Sequence, residues 1–188
     1  MGYKKGEINM PSFQIHLAVA KRYMEKHEIK DKDLFVEGSL APDFVRPKEK
    51  SHYTIDTTSE ELIEKMESKV SLDHYLAENE VKTDYDKGIF LHLLTDKIFF
   101  TKFFDHEMLK KTYYQEFMDD LYVSYESTNA YLREKYAITI SKTLAERIQQ
   151  DIAKSNIEKN IQLKNGKQII SLDKLDAFIE KVSDIDLD

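Results

Sequence analysis

The segment from Asp84 to Phe104 constrains this chain more than any other. It reads Asp-Tyr-Asp-Lys-Gly-Ile-Phe-Leu-His-Leu-Leu-Thr-Asp-Lys-Ile-Phe-Phe-Thr-Lys-Phe-Phe, several helical turns long and apolar on most sides. A helix that is hydrophobic nearly all round must be surrounded by other elements. Those elements are expected to be helices too. With five Gly and three Pro in 188 residues, turn formers are too scarce for a many-stranded sandwich or barrel. The expectation is an all-α fold, an irregular multi-helix bundle. A single helical domain is expected over residues 10–188, with residues 1–9 a disordered tail or tag.

Local signals place the other helices. Ser12 can cap a helix whose apolar face is Phe13, Leu17, Val19, Ala20 and Tyr23. On that helix Ser12, His16 and Ala20 form a stripe of small neighbours around the imidazole. Gly38 to Ser51 holds two of the three prolines and reads as an ordered loop. Thr58-Ser59-Glu60-Glu61 is a capping box opening a helix toward Lys69, and Ser71 begins a short one. Glu107 to Tyr136 reads as one long helix or two shorter ones. Ser141 to Ser155 is amphipathic, with Leu144, Ile148 and Ile152 recurring at fours. Asn165-Gly166 suggests a short hairpin near the C-terminus. Ser171 is placed to cap a last helix that buries Leu175, Phe178, Ile179 and Val182. The Phe99, Phe100, Phe103 and Phe104 cluster, with Tyr113 and Tyr114, reads as core.

Composition narrows the chemistry. There is no cysteine, so disulfides, thiolate metal sites and cysteine nucleophiles are all ruled out. The net charge of −7 does not favour nucleic acid as a partner. The longest apolar run is too short to form a transmembrane segment. The N-terminal residues lack the apolar stretch of a secretory signal, so a cytoplasmic protein is the simplest expectation.

Within the apolar central segment, His92 and Asp96 stand four apart and project from one helix face. A buried imidazole and a buried carboxylate are costly unless each finds a partner, and a metal ion satisfies both. Gly88, one turn earlier, lets another segment approach closely. Spacing alone is weak, because His27/Asp31 and His74/Glu78 repeat it in charged surroundings. Three further residues complete a candidate set: His16, Asp43 and His52. Taken singly, His16 reads as a satisfied core histidine, Asp43 as a turn or helix cap in a fixed extended loop, and His52 as a loop histidine. Arg46, Lys48 and Lys50 crowd the stretch between Asp43 and His52. They read first as a solvated loop and second as a phosphate-attracting rim.

The strings Phe13-Gln-Ile-His16-Leu-Ala, Gly38-Ser-Leu-Ala-Pro-Asp43, Ser51-His52-Tyr53 and Phe90-Leu-His92-Leu-Leu-Thr-Asp96 occur in an order that resembles the zinc-dependent phospholipase C group, which shares its fold with the single-strand-specific zinc nucleases. Asn129-Ala-Tyr-Leu-Arg-Glu-Lys-Tyr136 and Ala177-Phe-Ile-Glu-Lys-Val182 are similar to the short bacterial branch of that group. The resemblance implies a helical fold around a metal cluster. It implies that Asp43, His52, His92 and Asp96 hold one ion, with Asp96 bridging to a second that His16 also binds. The family's third ion needs further ligands after the counterpart of Asp96. Here His106 is the only later histidine, which leaves one or two ions.

Imidazole and carboxylate ligation suits Zn2+ and also admits Mn2+, Fe2+ or Ni2+. The implied activity is phosphoric ester hydrolysis, in which a water acidified by the metal attacks phosphorus and Asp43 orients or deprotonates it. The implied partner is a phosphoester-containing small molecule or lipid headgroup. An HD-domain phosphohydrolase is the rival enzyme reading, but the chain has no His-Asp dipeptide. A catalytically degenerate, metal-stabilised binding module is the non-enzymatic one.

Overall fold

The computed structural model describes residues 12–57, 61, 65, 67–105, 114–159 and 166–187. They form eight α-helices: α1 (Phe13–Lys26), α2 (Lys32–Phe44), α3 (Lys48–Ser51), α4 (Leu72–Glu78), α5 (Asp84–Ile98), α6 (Tyr114–Lys135), α7 (Lys142–Lys159) and α8 (Leu172–Ser183). A π-helical turn, Phe99–Phe103, follows α5 directly. The only β pairing among the described residues is a single bridge, Thr54 to Val70. No helix among them is long and apolar enough to cross a membrane.

The helix expected over 84–104 thus changes character at Phe99. Thr83 and Asp86 form a reciprocal capping box at its start. The wider π turn at its end points Phe99, Phe100 and Phe103 into the core, where Phe99 and Phe103 both meet the edge of Phe178 on α8. The largest core cluster joins α1, α5, the π turn, α6 and α8. A second joins Leu17, Val36, Leu40, Leu144 and Ile148 from α1, α2 and α7. On α8 the buried apolar positions are those expected from sequence, Leu175, Phe178, Ile179 and Val182, and Ser183 is buried beside them.

The expected loop from Gly38 to Ser51 is instead the second half of α2, a short turn and α3. Asp31 starts α2, its carboxylate accepting from the Leu34 N–H at 3.0 Å. Pro42 lies inside this helix and deprives it of one backbone hydrogen bond. Tertiary packing outweighs that loss. Residues Phe35, Val36, Gly38, Ser39 and Leu40 are buried or nearly so, and α2 pairs more extensively with α5 than any other two elements do. The crossing is close because both helices present glycine. A Cβ on Gly88 would sit 2.3 Å from the Phe35 carbonyl oxygen, and one on Gly38 would sit 2.1 Å from that of Tyr85.

Three other expectations change. Ser12 and Ser171 stand at the starts of their helices, yet neither side chain caps; the Ser12 hydroxyl donates to Asn129 Oδ1 instead, at 2.8 Å. The hairpin is not formed in the half that is described. The Ile169 N–H donates to Ser124 Oγ at 2.8 Å and that of Lys167 to Asp120, so this stretch docks on α6 rather than on a strand. The capping box at Thr58–Glu61, Tyr113 and the tail 1–9 lie outside the described residues, apart from Glu61.

Candidate metal centre

Four elements bring the five donors together. His16 comes from the first turn of α1, Asp43 from the last turn of α2, His52 from the residue ending α3, and His92 and Asp96 from α5. All five are buried, between 1% and 8% exposed. The residue after His52, Tyr53, is itself anchored. That residue adopts φ 49°, its ring meets Tyr75 edge-on at 5.0 Å, and its hydroxyl accepts from Asn79. A non-glycine residue in this conformation is held there by its surroundings.

The tautomers of two histidines follow from their partners. His92 Nδ1 lies 2.9 Å from the Ser39 carbonyl, and His52 Nδ1 lies 3.1 Å from that of Lys48. A carbonyl only accepts, so each Nδ1 carries the proton. The Ser51 hydroxyl, also near His52 Nδ1, donates to the Pro42 carbonyl at 2.8 Å. Both Nε2 atoms are therefore lone pairs, and they face each other at 3.2 Å. Nothing within that contact donates a hydrogen. Asp96 Oδ2 completes a triangle, 3.4 Å from His52 Nε2 and 3.6 Å from His92 Nε2. Ligands of a tetrahedral ion at Zn–N distances of about 2.0–2.1 Å stand about 3.3–3.4 Å apart. The three donors fit a divalent cation on that measure.

The other carboxylate oxygen of Asp96 turns to α1. Oδ1 lies 3.2 Å from His16 Nε2, and the two atoms are not aligned as a hydrogen bond. Both are fully buried and, with His16 Nδ1, have no hydrogen-bond partner among the described residues. Orphaned groups of this kind are rare in a folded interior. The His16 ring stacks on His92 at 3.8 Å. Two overlapping groups could hold a metal ion: His16, His92 and Asp96, and Asp43, His52 and His92.

Electrostatics keep the imidazoles neutral. Burial lowers His16 and His52 to about 4 and lowers His92 as well. Burial raises Asp96 to about 7. Asp43 goes the other way. Burial pushes its carboxyl up, but the Lys48 ammonium and, after it, His92, His16 and His52 together more than offset this and hold it well below the usual carboxylate range.

Lys48 is the first correction to the site itself. Its ammonium is buried and bonds Asp43 Oδ1 at 2.7 Å, so it belongs to neither a solvated loop nor an outer rim. Lys50, two residues on, is exposed. Arg46 spans the same corner, donating to the Asp43 carbonyl at 2.6 Å and pairing with Asp151 at 2.8 Å. Tyr125 on α6 is a second residue that spacing does not single out. Its hydroxyl is buried with no hydrogen-bond partner among the described residues. Its pKa is raised well above the ordinary value, first by burial and then by Tyr122 and the charges of Asp96 and Asp43. The other i,i+4 pairs stay outside: His74 contacts Glu78 at 3.1 Å on the surface, and His27 donates to the Ser183 carbonyl. A cavity of about 600 Å3 opens elsewhere, beside Asp31 and Lys82 at the other ends of α2 and α5, and involves none of the five donors.

Comparison with protein-family models, with curated proteins and with solved structures returned no match.

Proposed function

We propose that the chain is a metal-dependent phosphoric ester hydrolase of the type represented by the zinc-dependent phospholipase C group. The observation that carries this reading is the pair of opposed lone pairs, His52 Nε2 and His92 Nε2, 3.2 Å apart with Asp96 beside both. Zn2+ suits that donor set, and Mn2+, Fe2+ and Ni2+ accept the same ligands. Such an ion, when bound, polarises phosphate oxygens and acidifies water.

The chain's own residues do the rest. Ser39 and Lys48 carbonyls fix the two rings and their tautomers in advance, which second-shell partners of metal-binding histidines commonly do. Asp96 offers one oxygen toward His16 and the other toward His52 and His92, which suits a bridging ligand. Asp43 gives Oδ1 to Lys48 and keeps Oδ2 for a water. Its depressed pKa makes it a weak base, so it orients the attacking water rather than taking its proton. The substrate this suits is a phosphoester-bearing small molecule or lipid headgroup.

Protein purified without added metal is expected to retain a transition metal, and His92→Ala to lose it. A panel of phosphomonoester, phosphodiester, phospholipid vesicle and single-stranded DNA is expected to yield hydrolysis with at least one member. Wild-type protein free of metal overturns the reading. Bound metal without turnover of any member reduces it to a metal-stabilised helical module.

A further inference from the structure

We infer that Tyr125 is a substrate-binding residue of this site, its hydroxyl donating a hydrogen bond to a phosphoryl oxygen held on the Asp96 side of the cluster. This rests on the reading that the cluster binds a metal ion and a phosphoester, and it adds a recognition group from α6.

Unmet hydrogen bonds carry the inference. Among the described residues five buried side-chain polar atoms have no partner, and four of them belong to His16, Asp96 and Tyr125. An ion can account for His16 Nε2 and Asp96 Oδ1, which are lone-pair donors. It does not account for a hydroxyl hydrogen. Nor is an idle hydroxyl the habit of α6: buried Ser124 and Thr128 each donate to a carbonyl one turn back, both at 2.8 Å. A buried hydroxyl without an acceptor is costly, so the one on Tyr125 calls for an acceptor from outside the chain.

Its position says where that acceptor sits. Helix α6 packs on α1, and the Ser12 hydroxyl joins them by donating to Asn129 Oδ1 at 2.8 Å. His16 and Tyr125 each stand one helical turn from that bond. The Tyr125 ring meets Tyr122 edge-on, and the charges of Asp96 and Asp43 reach Tyr125 while that of Lys48 reaches Tyr122. This face of α6 therefore borders the cluster. Burial above all, then Tyr122 and the two carboxylates, raises the Tyr125 pKa well above its ordinary value, so the hydroxyl keeps its proton and donates. A phosphoryl oxygen is the acceptor that suits it, because hydrogen bonds to charged oxygens are the strong ones. The neighbouring cations are already engaged, Lys48 by Asp43 and Arg46 by Asp151, which leaves Tyr125 as an uncommitted donor.

The test compares the full chain, wild type and Tyr125→Phe, each loaded with Zn2+, freed of excess metal by gel filtration and titrated with inorganic phosphate by calorimetry. Metal content is expected to be equal, and phosphate to bind about tenfold more weakly to the variant. After chelator treatment, Tyr125→Phe is expected to melt no lower than stripped wild type, because no bond within the protein is lost. Equal phosphate affinity in the two proteins overturns the inference, as does wild type that holds metal but no phosphate; both leave the metal reading standing. A stripped variant that melts lower, or fails to fold, shows the hydroxyl bonded within the protein and likewise overturns it. Wild type that takes up no metal overturns the inference and the metal reading together.

Discussion

At Asp176, on α8, three donors converge on one carboxylate: the hydroxyls of Tyr131 and Tyr136 and the ammonium of Lys135, the last at 2.6 Å. At Asp96, on α5, the neighbours are His16, His52 and His92, of which the last two bring lone pairs rather than hydrogens. Both carboxylates pin helices together. The first is fully satisfied by the protein, and burial on its own would raise its pKa, yet its three donors lower it. The second is left with an orphaned oxygen and a raised pKa. The contrast separates a polar cluster that the protein satisfies by itself from one whose buried donors could hold a metal ion.

The largest test of this contrast is Gly88→Ala. The added methyl would meet the Phe35 carbonyl and the Ser39 amide at 2.3 and 2.7 Å, both backbone atoms that cannot swing aside. Forcing α2 from α5 should cost about 3 kcal/mol and move Ser39 away from His92. The expected outcome is loss of bound metal together with a lowered melting temperature. The Tyr131, Tyr136 and Asp176 contacts of α6 and α8, lying away from that crossing, should persist in what remains folded. Metal analysis with thermal denaturation checks both parts.

Metal removal comes next. An ion present at about a hundred times its dissociation constant stabilises by about 2.7 kcal/mol, or about 5–10 °C for a chain of this size. Chelator should lower the wild-type melting temperature by that amount and leave His92→Ala unmoved. An equal chelator effect on both proteins would mean that the stabilising ion sits elsewhere.

Asp176→Asn reverses the pattern. It removes charge from a cluster that has no need of metal, so metal content should be unchanged while stability falls by about 1–2 kcal/mol, the partly exposed Lys135 keeping the figure low. The pH dependence has a definite sign. The folded-state pKa of Asp176 is depressed, so its contribution is present above the ordinary carboxylate pKa of about 4 and is lost as pH falls below it. The wild type and the variant should therefore differ at pH 7 and converge in acid, as urea denaturation at a series of pH values would measure.

How much of this could be read from sequence differs by level. The set His16, Asp43, His52, His92 and Asp96 is singled out by the order of local strings that resemble one family, since spacing alone marks only His92 and Asp96, and the fold gathers all five. The all-helical fold follows from the scarcity of turn formers. What sequence hides is whatever depends on depth or on distant pairing. Gly38 and Pro42 are turn formers locally, yet α2 runs through both because its glycine face fits against Gly88. Lys48 looks like Lys50, and only the path of α3 puts one inside and the other outside. Tyr125 is one tyrosine among several on α6 until its hydroxyl is found buried beneath the cluster's charges.

The smallest expected effect isolates burial as the deciding variable. His74 and Glu78 on α4 repeat the spacing of His92 and Asp96 on α5, and their rings and carboxylates meet at similar range, 3.1 Å against 3.6 Å. Their side chains, however, are 50% and 60% exposed, so water satisfies whatever the partner does not. An exposed pair of this kind is worth at most about 0.5 kcal/mol. His74→Ala should leave the metal content, the chelator response and the melting temperature within error of wild type. A loss of metal in that variant would mean that spacing rather than burial selects the site, and the contrast between the two carboxylates would lose its basis.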